Sequence, residues 1–391
     1  MAAKKTPATK KTPATARPAG KKPARKPYQL VSADQHINEP PDMWTSRVAK
    51  KFKDRVPHIK RQREGDGWII EGVKDPISFG LNVCAGLKPE ECRDWLRWDR
   101  VRKGGYVPKE RLKDMDVDGV DAAIMFGTPR LSAGVITNPD PELQRAMIRA
   151  YNEFMAEFVS YAPDRLFGAI WLPATGVKDA IAELEHFIEM PGMVGPVINC
   201  YPNGTTTLGK EDDPLWRLLA EMDIPLSIHV DLRDKSPAKH TERITGGTRN
   251  RDAEKRMLEF MWGGVLDRYP NFKIVFSEVD AGWVPFFKEQ IDNRYHRQAR
   301  GSNIALSKAP SKYFDEHYFY TFITDTYAIR NRDAVGVKNM LWSDDFPHMG
   351  GDWPFTQRSL SQYFGGVSAD DCRLIQADNA VRLYHLPGLV A

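Results

Sequence analysis

The chain has 391 residues, 41% hydrophobic and 28% charged, enough apolar content for one large domain or two ordinary ones. No apolar run reaches the ~18 residues of a membrane-spanning helix, so a soluble protein with no membrane partner is expected. The net charge of +4 is misleading, because residues 1–27 carry nine Lys and Arg and no acid, leaving −5 for the rest. The body is thus mildly acidic, which argues against a nucleic-acid-binding surface on it.

Residues 1–27 are Lys, Pro, Ala and Thr, with KKTPAT occurring twice in succession. Like charges and proline with nothing apolar to bury predict a disordered tail. It lacks the apolar core of a secretory signal. A polyanion-binding arm is the sharper reading, and it makes nucleic acid a partner through the tail only. The four cysteines, Cys84, Cys92, Cys200 and Cys372, form no C-x-x-C pair, and reduced thiols in a cytoplasmic protein are expected.

The folded part, residues 28–391, opens with a strand at Gln29 to Ala33 that delivers Asp34 and His36. Residues i and i+2 of a strand share a face, so a carboxylate and an imidazole are presented together, both good ligands for a divalent metal. Pro40 and Pro41 then turn the chain out. Residues 45–110 read as a covering excursion, with a hairpin-like stretch from Gly65 to Gly72 and an exposed Trp-rich helix in ECRDWLRWDR.

From about residue 111 strands and helices alternate. Strands are expected at Val120 to Phe126, Leu166 to Leu172, Gly195 to Cys200, Pro225 to Val230, Asn271 to Glu278, Tyr318 to Thr324 and Asn339 to Asp344. Helices are expected at Pro141 to Ser160, Val177 to Glu189, Asp213 to Asp223, Ala253 to Tyr269, Gly282 to Gln298, Ala328 to Gly336 and Ala369 to Tyr384. The strands are continuous apolar runs, the pattern of strands buried on both faces of a parallel sheet. Eight such units predict an α/β fold of the closed (β/α)8 TIM-barrel type, with the excursion between strands one and two. A doubly wound open sheet is the runner-up, but no Gly-rich phosphate loop follows the first strand.

In such barrels chemistry sits at the C-terminal ends of the strands. Strand one ends with Asp34 and His36, strand five with His229, and strand six with Glu278 and Asp280. Strand eight ends with Asp344 and Asp345, with His348 soon after. The stretches ADQHINEPPDMW, RLKDMDVDGVDAAIMF, DPLWRLLAEMDIPLSIHV, LDRYPNFKIVFSEVDAGWVP and LWSDDFPH resemble the amidohydrolase-related proteins, amidohydrolase family 2, over residues 28–386. Relatives of that group include aminocarboxymuconate-semialdehyde decarboxylase and resorcylate-type decarboxylases. The resemblance implies a barrel with one catalytic divalent metal, zinc, manganese or iron. The implied ligands are Asp34, His36, His229 and Asp344, and a homo-oligomer, a dimer, is also implied.

Two departures stand out. Asp34 occupies a place where many relatives have histidine. Strand six has Glu278-Val279-Asp280 where decarboxylating relatives place a proton-handling histidine. No lysine ends strand four to bridge a second metal. The first expectation is therefore a metal-dependent hydrolase of an amide, ester or ring C–N or C–O bond in a small molecule, using a metal-activated water. Asp344 and Glu278 are its candidate catalytic groups, and His348, Asp345 and Arg233 its supporting or substrate-contacting ones. The alternatives are non-oxidative decarboxylation of an aromatic or unsaturated carboxylic acid, and tethering to nucleic acid through the basic tail.

Overall fold

The computed structural model describes residues 27–232 and 250–387. The expectations for the tail, apart from Pro27, and for Arg233 lie outside them. The chain opens with β1 (Val31–His36). A small antiparallel sheet follows, made of β2 (His58–Arg61), β3 (Asp66–Ile69) and β4 (Ile77–Ser78). Then come β5 (Ala122–Phe126), β6 (Leu166–Trp171), β7 (Met193–Ile198), β8 (Leu226–His229), β9 (Ile274–Ser277), β10 (Tyr318–Phe322) and β11 (Met340–Trp342).

The eight strands expected from the sequence are all present and parallel, in the order β1-β5-β6-β7-β8-β9-β10-β11. The sheet closes through the chain just after β11, with helices around it: His36 N donates to Phe346 O (2.7 Å) and Asp345 N donates to Asp34 O (3.1 Å). The eight-stranded barrel is therefore the architecture, and the open doubly wound sheet is ruled out. Every residue of β1, β5 and β6 is buried, which is why these strands read as unbroken apolar runs.

Outer helices follow from equally local causes. Pro141–Ser160 starts where the Asp140 carboxylate accepts from Glu142 N and Leu143 N, with proline at its first position, a capped start. It buries Leu143, Met147, Tyr151, Phe154 and Phe158 along one stripe, the spacing of an amphipathic helix. The single helix expected at Ala253 to Tyr269 is two, Asn250–Trp262 and Val265–Arg268. Gly264 takes a left-handed conformation (φ 69°), which ends a helix cheaply only at glycine. The last expected helix is interrupted by a π-helical turn at Leu374–Asp378. Helices Pro108–Asp118, Pro129–Ile136, Pro310–His317 and Thr356–Tyr363 were not anticipated.

The excursion differs from its expectation in two places. Gly65 to Gly72 is not a hairpin by itself: β3 within it is the middle strand, paired with both β2 and β4. The Trp-rich segment is not a helix beyond a 3₁₀ turn at Trp98–Arg100. Asp66 takes its donors instead, accepting from Trp98 N (2.9 Å) and from the Arg97 guanidinium (3.0 Å). Trp98 then packs edge-on to Phe79 at 5.7 Å, so this face is packed down rather than exposed. All four cysteines are free. Among the described residues no helix is long and apolar enough to cross a membrane.

Candidate metal centre

Barrel closure brings residues far apart in sequence to one point. β1 is buried throughout, so Asp34 and His36 are fully enclosed, and His229 and Asp345 are each only 2% exposed. His36 Nδ1 lies 3.1 Å from the carbonyl of Gly127, just past β5. A carbonyl only accepts, so the ring proton sits on Nδ1 and the Nε2 lone pair faces the barrel axis. There His36 Nε2 lies 3.2 Å from His229 Nε2 and 3.2 Å from Asp345 Oδ1. Asp34 Oδ1 completes the set, 3.2 Å from His229 Nε2 and 3.4 Å from His36 Nε2.

Asp34, His36 and His229 form one compact group of donor atoms, and Asp345 belongs to a second, with His348, that shares His36; the separations within the first fit a cation. Ligands about 2.1–2.2 Å from one ion stand about 3.0–3.5 Å from each other in tetrahedral or octahedral geometry. Asp345 Oδ1 is buried among imidazole nitrogens, 2.9 Å from His348 Nδ1 and 3.2 Å from His36 Nε2. Asp34 is oriented from behind, its Oδ2 accepting from Thr321 Oγ1 of β10 (3.2 Å). This outer support is typical of metal-binding carboxylates.

Asp344, expected as the fourth ligand, is not in this set. Its Oδ1 accepts from Ser32 Oγ (2.7 Å) and its Oδ2 from Gln35 Nε2 (2.9 Å). Both aspartates lie past the end of β11 and point apart, Asp344 to Ser32 and Gln35 and Asp345 to the imidazoles. Asp345 sits in the left-handed region (φ 52°). Burial pushes the Asp344 carboxyl up to about 7 despite its Ser32 and Gln35 partners. For Asp345 burial acts in the same direction. The imidazoles of His348 and His36 outweigh it and hold that carboxyl well below the usual range.

His348 stacks on His36, ring centroids 3.9 Å apart and planes 15° apart, and its Nδ1 lies 2.9 Å from Asp345 Oδ1. Burial lowers its pKa to about 4, against the pull of Asp345, so the ring is neutral near pH 7. Glu278 does not join the donor cluster. Its backbone N donates to Thr321 Oγ1 (2.7 Å), the hydroxyl that supports Asp34. Val230, Glu278 and Asp345 all have positive φ directly after barrel strands or close to them. Each such residue stores about 1–3 kcal/mol of backbone strain, and such strain concentrates at functional sites.

Several contributors escaped the sequence reading. Arg111, fully buried, donates to Gln35 Oε1 (2.9 Å) and Gly104 O (2.7 Å), and also to His36 O. Burial lowers its pKa to about 10, with Asp344 and Asp114 opposing, so it stays cationic beside the carboxylates. Its place in RLKDMD gave no hint of burial. Asn82 Nδ2 lies 2.9 Å from His348 Nε2, and no sequence signal pointed to it.

The family model for amidohydrolases matches residues 48–386. The chain is 25% identical over 305 residues to a γ-resorcylate decarboxylase of a Rhizobium species, covering 72% of this chain and 88% of that protein. Its fold is like that of an amidohydrolase from Mycobacterium avium subsp. paratuberculosis, with TM-score 0.69 and 20% identity over 91% of this chain and 99% of the other. It is also like that of 5-carboxyvanillate decarboxylase from Novosphingobium aromaticivorans, solved with manganese and 4-hydroxy-3-methoxy-5-nitrobenzoic acid. That likeness has TM-score 0.68 and 18% identity over 92% and 96% of the two chains. The chain therefore belongs to the amidohydrolase family of enzymes.

Proposed function

We propose that the protein is a divalent-metal-dependent decarboxylase that removes CO₂, without oxidation, from a small aromatic carboxylic acid bearing a hydroxyl beside the carboxylate. The observation that carries this reading is the likeness to γ-resorcylate decarboxylase along most of both chains. It favours decarboxylation over the hydrolysis expected first. Asp34, His36 and His229, one compact donor group, and Asp345, which joins them through His36, are the proposed ligands. Two carboxylate oxygens beside two imidazoles suit manganese, the ion in the carboxyvanillate enzyme. When bound, the ion would grip the substrate carboxylate and the neighbouring oxygen and draw electron density from the ring.

Decarboxylation exchanges CO₂ on a ring carbon for one proton, so the chain must supply that proton. His348, neutral near pH 7 and with Nδ1 2.9 Å from Asp345 Oδ1, is the imidazole placed to relay it from solvent. Arg111 offsets the negative charge of Asp344 behind the site. Hydrolysis remains the second reading, favoured by one observation. β9 runs into Glu278-Val279-Asp280, with no imidazole among them, and a carboxylate can take a proton from water.

A substrate panel tests the proposal. Protein reloaded with Mn²⁺ is incubated with 2,6-dihydroxybenzoate, 5-carboxyvanillate, aryl amides and lactones, while CO₂ and hydrolysis products are followed. CO₂ release from a hydroxybenzoate is expected. Hydrolysis of an amide or lactone with no CO₂ from any acid overturns it.

A further inference from the structure

The excursion between β1 and β5 is fastened to the segment after β11 by main-chain atoms. Met349 N donates to Leu81 O (2.9 Å) and Ala85 N donates to Pro347 O (3.1 Å). Asn38 Nδ2, just past β1, donates to Asn82 O (2.9 Å). These bonds hold residues 81–85 against the loop that carries Asp345 and His348. One side chain of that segment reaches inward: Asn82 Nδ2 lies 2.9 Å from His348 Nε2.

We propose that Asn82 is a positioning residue of the metal centre, fixing the ring of His348 and, through it, the carboxylate of Asp345. An amide nitrogen can only donate, so His348 Nε2 accepts and the ring proton lies on Nδ1, the atom that faces Asp345 Oδ1. The same ring lies flat against His36. His348 therefore leans on two members of the donor set at once. Without a partner at Nε2 the ring is free to turn over, and the proton facing Asp345 is exchanged for a carbon. Partners one step removed from the ligands set ligand orientation in metal sites, and losing one typically costs about 10–100-fold in metal affinity. In this chain that partner comes from the excursion, so the excursion is part of the centre and not only a cover. The inference rests on the ligand set proposed above and not on which reaction the centre performs.

The three anchoring bonds involve the backbone of residues 81, 82 and 85 and the side chain of Asn38. They survive a change of side chain at 82. Full-length Asn82→Ala and Asn82→Asp proteins are titrated with Mn²⁺, following free ion by electron paramagnetic resonance, and their metal-free melting temperatures are recorded. The aspartate keeps the size of asparagine but can only accept, which forces the opposite tautomer on His348. Both variants are expected to bind Mn²⁺ about 10–100-fold more weakly, with metal-free melting temperatures near wild type. Wild-type affinity in both, or in Asn82→Asp alone, overturns the proposal, the latter because it leaves only a packing role. If Asn82→Ala lowers the metal-free melting temperature, the isosteric Asn82→Asp carries the decision. Metal affinity is read without substrate, so a failed substrate panel and a failed positioning role are told apart.

Discussion

At the scale of single residues, the Asp344-Asp345 doublet separates two roles that a sequence leaves merged. Asp345 Oδ1 points at the imidazoles, whereas both oxygens of Asp344 are taken by Ser32 and Gln35. Asp345→Asn is expected to weaken Mn²⁺ binding at least about 100-fold, since an amide oxygen is a neutral and poorer donor. Asp344→Asn should keep its metal to within about 10-fold, and instead lose about 1–3 kcal/mol of stability from a disturbed buried hydrogen-bond set. Metal content after dialysis and urea midpoints read both. The reverse pattern would return the ligand role to Asp344.

At the scale of elements, the barrel strands carry the proposed ligands and the excursion carries Asn82, beside His348. Close backbone approaches help the excursion hold its shape. A Cβ placed on Gly80 would lie 1.8 Å from Arg93 O and 2.6 Å from Asp94 C, so no side chain fits unless one strand of the loop moves away. Gly80 N also donates to Asp94 O (2.9 Å). Gly80→Ala is expected to loosen residues 80–95, displacing Asn82 two positions on. Limited proteolysis should show new cleavage there, Mn²⁺ affinity should fall about 10-fold, and far-ultraviolet circular dichroism of the barrel should stay unchanged. Resistance to protease equal to wild type would show that the loop accommodates the methyl.

At the scale of the whole molecule, the donor atoms belong to β1, β8 and the segment after β11, the first, fifth and eighth barrel positions. An ion bound among them ties the closing seam of the barrel to its opposite wall. Binding only to the folded state stabilises it by about 2.7 kcal/mol at 100 times the dissociation constant, worth a few degrees in a chain of this size. Removing metal with a chelator should therefore lower the melting temperature by a few degrees. Adding Mn²⁺ back should restore it, in wild type but not in His229→Ala. Equal melting curves with and without metal would argue against a shared site at that seam.

The sequence by itself determined the barrel, because strands buried on both faces must be continuously apolar and eight of them alternate with helices at regular spacing. It also determined the strand ends where Asp34, His36 and His229 would gather, since strand termini in this architecture share one end. Helix boundaries with local signals, such as the Asp140-Pro141 start, were legible for the same reason. Only the tertiary structure separates Asp344, bonded to Ser32 and Gln35, from Asp345, which faces the imidazoles, because both lie past the end of β11, where strand alternation no longer sets direction. Only it revealed Arg111 and Asn82, whose roles consist of contacts with atoms some 75 and 266 residues away in the chain. No local pattern of residue types records such a contact.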